Sequence, residues 1–422
     1  MSLQRQISAP QDRQPFPTAR PAPQLKRVLF LSANMGTGHS AAAENILKAL
    51  QVLHPGVQGR VVNSFQQAHG VIGRVVEESY LQMLKHMPTM YARMYEPARR
   101  PWSGIRQWVN ETFTPAFLPL LESWQPDVIV CTHAFAAGIC DVLKVKYGLN
   151  RPVLGVITDY VVHPFWLSPA IDMFTLPTTE LAAELCRYGV AADRLRVTGI
   201  PIDPCFGQAT DRSELRAELG LSESDPVLLV MGGGLGMEPV GHILDTLKNV
   251  RRPLDVVVLT GKNERLQQRF QQALAQQPPG PVRFHIYGYA DNVHEFMQVS
   301  DLLVTKPGGL TSAEALAAGL PMLLVKAIPG QEARNAGYLI SHKVALDSSR
   351  HRHLRDAVDE ALGAGRMLQR MKQRARAIGA PEASADIASV LDMVFACSRP
   401  ERVLQRVPKL APVDEESFPL SV

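Results

Sequence analysis

Short apolar, β-prone runs alternate with helical stretches along this chain in two successive series, and that alternation leaves few folds open. The first series passes through "RVLFLSA", "GRVVNSF", "PDVIVCTH", "RPVLGVITD", "DMFTLPT" and "RLRVTGIP". The second passes through "PVLLVMG", "LDVVVLTG", "VRFHIYGY", "DLLVTK" and "PMLLVK", with helical segments such as "NERLQQRFQQALAQQ" between them. "GIPIDPCFGQATDR", with two closely spaced prolines and a polar run, reads as the connection between the series. The expectation is an α/β protein of two Rossmann-like domains facing a central cleft. Open parallel sheets bind ligands beyond the carboxyl ends of their strands, so each half would present its loops to that cleft. The halves span residues 25–204 and 205–400, preceded by a flexible Pro-rich tail over 1–24 and followed by a second tail over 401–422.

Bulk properties narrow the function classes. With 422 residues the chain is long enough for two separate cores, and 46% apolar with 20% charged residues is an ordinary globular composition. It has no run of about 18 apolar residues that could cross a bilayer and no apolar signal-peptide core at the N-terminus, so a cytoplasmic location is expected. The five cysteines lack the paired spacings of zinc sites and read as reduced thiols. A net charge of +4 is too small to argue nucleic-acid binding for a chain of this size.

The candidate site residues lie at the turns. In "NMGTGHSAAAENILKAL", residues 34–50, a strand passes through a tight turn into a helix from Ser40, with Gly36, Gly38 and His39 at the junction. Glycine allows the backbone to approach a ligand closely, and the free N–H groups of a helix start favour an anion such as a diphosphate. Glycine-rich turns of this kind also occur without a ligand. The spacing is not that of a dinucleotide fingerprint, because Ser40 and Ala41 follow Gly38. "LLVMGGGLGM" places Gly233 and Gly236 in a second such turn, and "TKPGGLTSAEALAAGLP" forms a third through Gly309. There a helix starting near Thr311 and Ser312 would put Glu314 in its first turn, as a cap or as an acceptor for sugar hydroxyls. Gln331, Glu332 and Asn335 in "IPGQEARNAGY" supply the mixed donors and acceptors that a polyhydroxylated ligand requires, though a surface turn has the same composition. "VITDYVVHPFW" ends a strand with Asp159, followed by His163 and Trp166.

One segment departs from the α/β pattern. Between Val71 and Asn110, six Arg or Lys stand against three Glu, interleaved with Met, Tyr and Trp. Arg99, Arg100 and Arg106 beside Trp102 and Trp108 suit a segment lying on an anionic bilayer surface; a helical insertion with a solvated basic face is the alternative.

Taken in order, "SANMGTGHSAAA", "TDYVVHPFW", "GIPIDPCF", "MGGGLG", "TKPGGLTSAEALAAGLP" and "PGQEARNA" resemble glycosyltransferase family 28 over roughly residues 26 to 400. Within it the chain is most similar to the monogalactosyldiacylglycerol synthases of plastids and the bacterial diacylglycerol glucosyltransferases. More distantly it is similar to the N-acetylglucosaminyltransferase that makes lipid II. The resemblance implies a GT-B fold and an inverting transfer from UDP-glucose or UDP-galactose to diacylglycerol. It implies no obligatory metal or other cofactor, in keeping with the lack of an Asp-x-Asp motif, and a peripheral attachment to the anionic membrane surface where the acceptor resides, with His163 and Trp166 on the membrane and acceptor side. Glu314 would bind the ribose, Gln331 and Glu332 the sugar, and Gly309, Thr311 and Ser312 the phosphates. Residues from Tyr289 to Val293 would frame the uracil, while Gly36 and Gly38 would bring the first helix against the donor. His39 would then be the general base, with Asp159 as the second choice or as its oriented partner. The rival readings are a UDP-N-acetylglucosamine enzyme, lipid-linked transferase or 2-epimerase, and a non-enzymatic UDP-sugar-responsive regulator.

Overall fold

The computed structural model describes residues 24–33, 38–68, 102–232, 246–247, 250, 252–275, 280–325, 330–351 and 353–397. Two six-stranded, all-parallel sheets form its two halves. The first has the order β2-β1-β3-β4-β5-β6, built from Arg27–Ser32 (β1), Gln58–Asn63 (β2), Val128–Cys131 (β3), Val153–Val156 (β4), Met173–Leu176 (β5) and Leu195–Val197 (β6). The second has the order β12-β11-β10-β7-β8-β9, from Val227–Met231 (β7), Leu254–Leu259 (β8), Val282–Tyr287 (β9), Leu302–Thr305 (β10), Met322–Leu324 (β11) and Ala345–Asp347 (β12).

Helices cover both faces of a parallel sheet, so its central strands are buried on both sides and read as unbroken apolar runs. "VIVC" of β3, "VLGV" of β4 and "LLVT" of β10 are buried at every position. The one charge inside such a run, Asp255 of β8, is fully buried and accepts hydrogen bonds from Arg283 Nε at 2.8 Å, Arg283 Nη2 at 2.9 Å and Ser222 N at 2.8 Å, with His285 Nε2 at 2.9 Å. That pairing is what allows a carboxylate there.

The helices that shape the cleft are α1 (Gly38–Leu53), α2 (Ser64–Ala68), α3 (Trp102–Phe113), α4 (Ala134–Tyr147), α5 (Gly309–Ala317), α6 (Gln331–Ser341), α7 (Gly365–Ile378) and α8 (Ala383–Cys397). The last of them corrects the domain boundary expected at residue 400. Ile387, Ala388, Leu391 and Val394 of α8 are buried in one cluster with Val28, Phe30, Val128, Val130, Leu154 and Val156 of the first sheet. Each such aliphatic side chain stabilises by roughly 1.5–3 kcal/mol when buried, which outweighs its sequence neighbourhood in deciding where the helix packs. The first domain is therefore 24–200 plus α8, and the chain crosses between the domains twice. At the crossing Gly199 has φ +94°, and a Cβ there would stand 2.5 Å from Ala380 Cβ, so a side chain is excluded on both counts.

Candidate active site

The ends of β1, β3 and β4 of the first sheet meet the start of α1, through Ser32, Thr132 and Thr158. His39, the second residue of α1, is half-buried, and its Nδ1 lies 3.0 Å from Thr158 Oγ1 beyond the end of β4. Burial pulls the imidazole below its ordinary pKa, against the opposing charge of Asp159 and a hydrogen bond with the Thr132 backbone. A neutral ring at pH 7 is the form that can take a proton.

His133, at the end of β3, packs edge-on against His39 with ring centroids 5.0 Å apart. It caps α4, its Nδ1 accepting from Phe135 N at 3.2 Å, which places its own proton on Nε2. Burial, with the fields of His39 and His163, keeps it well below the usual histidine range. His163 repeats the arrangement, its Nδ1 accepting from Phe165 N at 3.1 Å. Phe65 of α2 and Phe135 stack face to face at 4.5 Å beside His133, giving this side of the site an apolar wall.

The second domain meets these residues through the N-terminus of α5. A Cβ on Gly309 would stand 1.9 Å from the Thr158 carbonyl oxygen and 3.0 Å from Asp159 Oδ1, so only glycine permits this approach. A Cβ on Gly38 would make ordinary contact, 3.7 Å, with Leu310 Cβ. The starts of α1 and α5 thus face one another, with His39 and Asp159 at their junction, so both helices bring the positive ends of their dipoles there.

Further along α5, Glu314 is half-buried between the domains. Burial first, and then the charge of Asp203, push its carboxyl up to about 8. Asp203 caps the turn at Pro204, accepting from Cys205 N at 3.1 Å, and faces Lys48 of α1 at 3.6 Å. Beyond the ends of β8 and β9, Tyr289 is 62% exposed with Lys262 Nζ 5.5 Å above its ring, a flat surface with a cation at its edge. Gln331 opens α6 and Glu332 lies in its first turn, both half-buried.

Several sequence expectations need correction. Helix α5 begins at Gly309, not near Thr311, because Gly308 takes the extended capping conformation. Glu314 therefore lies in the second turn. The earlier start also turns Ser312 inward: it is fully buried and its Oγ has no hydrogen-bond partner, whereas Thr311 stays half-buried. Asn335 is not available to a donor sugar. It is fully buried, donates through Nδ2 to Asp159 Oδ1 (3.0 Å) and the Pro307 carbonyl (3.1 Å), and accepts from Tyr160 N at 3.0 Å. Trp166 is only 6% exposed, packed in the core of the first domain by the short helical turn at Pro164–Trp166, so its ring is not presented to a membrane. Trp108 on α3 is 67% exposed. The backbone of Trp102 and Arg106 belongs to the same helix. Gly36, Gly233, Gly236, Arg99 and Arg100 lie outside the described residues. Thr158, His133, Asp203, Lys48 and Lys262 were not singled out by sequence; a polar residue directly after an apolar strand was the available signal for Thr158 and His133.

Two parallel-sheet Rossmann-like domains that bring helix N-termini to a shared cleft define a GT-B fold. The fold is that of Acinetobacter baumannii MurG (TM-score 0.60, 16% identity, 87% of this chain and 99% of that one). It is likewise that of the S. aureus MnaA-UDP co-structure (TM-score 0.57, 15% identity, 87% of this chain and 96% of that one). Residues 39–202 match the family model described as monogalactosyldiacylglycerol (MGDG) synthase and residues 211–378 match that of the glycosyl transferases group 1, in agreement with the family 28 resemblance of its motifs. It is similar to proteins named processive diacylglycerol beta-glucosyltransferase. That of Bacillus pumilus is 28% identical over 372 residues, covering 86% of this chain and 93% of the relative; that of Staphylococcus epidermidis is 25% identical over 402 residues, covering 92% and 98%.

Proposed function

We propose that the protein transfers a hexose from a UDP-sugar to the 3-hydroxyl of 1,2-diacylglycerol, inverting the anomeric centre and producing a monoglycosyldiacylglycerol. The observation that carries this reading is the meeting of the α1 and α5 N-termini with the half-buried His39 at their junction. The helix ends supply partial positive charge for the departing diphosphate, and the neutral imidazole accepts the proton of the attacking hydroxyl. In this reading the acceptor oxygen attacks the anomeric carbon from the face opposite UDP, the C–O bond to the diphosphate breaks, and the hydroxyl proton passes to His39. Glu314, neutral below about pH 8, both donates to and accepts from the ribose diol. Gln331 and Glu332 hold the sugar, Tyr289 the uracil, and the backbone at Gly309 and Thr311 the phosphates.

The names of the relatives favour glucose over galactose. Among the described residues no helix is long and apolar enough to cross a membrane. Reaching a bilayer-resident acceptor then requires a peripheral contact, for which Trp108 and the neighbouring arginines are the candidates. The test is a mass-spectrometric product assay with the purified chain, diacylglycerol in micelles containing anionic lipid, and UDP-glucose, UDP-galactose or UDP-N-acetylglucosamine, each with and without chelator. A glycolipid from one hexose donor, unaffected by chelator, supports the whole reading. Free-sugar-nucleotide interconversion without glycolipid would replace it with the epimerase.

A further inference from the structure

We infer that Asn335 is a positioning residue: its side-chain amide latches the Thr158–Tyr160 loop of the first domain to the second and holds Asp159 at the reacting centre. The bonds fix the amide's orientation without ambiguity. Tyr160 N can only donate and the Pro307 carbonyl can only accept, so Oδ1 must face the former and Nδ2 the latter. The remaining amide hydrogen goes to Asp159 Oδ1 at 3.0 Å. Both hydrogens are therefore committed, in a side chain with no exposed surface.

The neighbouring contacts act on the same three residues. Gly309 receives the Thr158 carbonyl, and the Tyr160 ring stacks on Tyr338 with centroids 4.5 Å apart and planes at 7°. Tyr338 lies one turn after Asn335 on α6, so one helix of the second domain grips the loop by amide and by ring. The loop in turn carries Thr158, which touches His39. Closure of the cleft and placement of His39 and Asp159 are one event, transmitted through Asn335.

Asp159's chemical role rests on the proposed transferase reading, whereas the latch itself does not, and the test separates them. Hydrogen exchange of the Tyr160 amide is followed in the full-length chain without substrate. Asn335→Ala removes its acceptor and should speed exchange about 10- to 100-fold, while Asn335→Asp keeps an acceptor and should leave it protected. Unchanged exchange in Asn335→Ala overturns the latch, whatever happens to activity. In turnover, Asn335→Asp sets two carboxylates side by side and loses the donors. At pH 8 kcat should fall about 10- to 100-fold with KM for the UDP-sugar within about threefold. At pH 5.5 the deficit should narrow, because a proton shared by the two carboxyls restores a donor. A rise in KM alone, without acid rescue, would show that Asn335 contacts the sugar and would overturn the positioning role. If no donor supports turnover, the exchange measurement still decides the latch and only the role of Asp159 falls.

Discussion

Thr158 Oγ1 stands 3.0 Å from Nδ1 of His39, joining the end of β4 to the start of α1 across 119 positions of sequence. This contact orients the imidazole that the proposed mechanism uses as base. His39→Ala should lower kcat by about 10²- to 10⁴-fold and leave UDP affinity nearly unchanged in calorimetry. Thr158→Val, which keeps the shape and removes the hydroxyl, should cost roughly tenfold in kcat. Because burial lowers the pKa of His39, the acid limb of kcat/KM should lie below pH 6.5. A limb above pH 6.5 in the wild type would reject His39 as the titrating base.

Glu314 gives a pH signature in stability. Its carboxyl is raised to about 8 in the folded chain from an ordinary 4.5, so the native state holds a proton that the unfolded chain releases. Stability from this residue is fully present below pH 4.5, declines as pH rises towards 8, and is flat above. Glu314→Gln should abolish that decline, with a Tm above wild type at pH 8.5 by about 2 to 4 °C for each kcal/mol recovered. UDP affinity at pH 7 should be nearly kept by the glutamine and reduced roughly tenfold by alanine.

Gly309→Ala places a methyl group where the Thr158 carbonyl oxygen already lies. The domains must separate to accommodate it, so kcat/KM should fall by about 10² or more while the Tm moves little, since neither sheet core is touched. Small-angle scattering would read the same change as an increased radius of gyration. Wild-type activity and dimensions in this variant would show that the close approach is dispensable.

Membrane contact is tested by charge and ring separately. Arg99, Arg100 and Arg106 changed together to Gln should weaken binding to phosphatidylglycerol vesicles, and added salt should weaken the wild type in parallel. Trp108→Ala should weaken binding at all ionic strengths, because its exposed ring contributes apolar area. Unchanged sedimentation with vesicles in both variants would assign the segment a purely structural role.

Eleven of the twelve described strands were legible, the central ones because a strand covered on both faces must be apolar throughout, the edge strands from shorter β-prone runs. The twelfth, Ala345–Asp347, is too short to show a pattern. The start of α5 was misplaced because Pro307, Gly308 and Gly309 read as a turn, although a glycine can open a helix when its neighbour provides the extended cap. The site was half legible. His39 and Asp159 stand at a glycine-marked turn and a strand end, where chemistry is expected, and Glu314 lies in the helix that follows another such turn. Asn335 was assigned to the ligand because its residue type fits a sugar equally well; its partners, 175 and 176 positions away for Tyr160 and Asp159, are a property of the closed cleft alone. Trp166 misled for a related reason, since a tryptophan after a phenylalanine in a loop has the same appearance in a core as at a bilayer surface.

Helix α8 gives the fold a particular order of assembly. The ribosome completes every strand of the first sheet before it has made the residues that cover one face of β1, β3 and β4. Until Ile387, Leu391 and Val394 emerge, Ala43, Ile46 and Leu50 of α1 shield part of that face, and the rest of it is open to solvent and to other chains while the second domain is still being translated. A message cut short after residue 382 would therefore yield a protein whose defect lies in the half that was synthesised first.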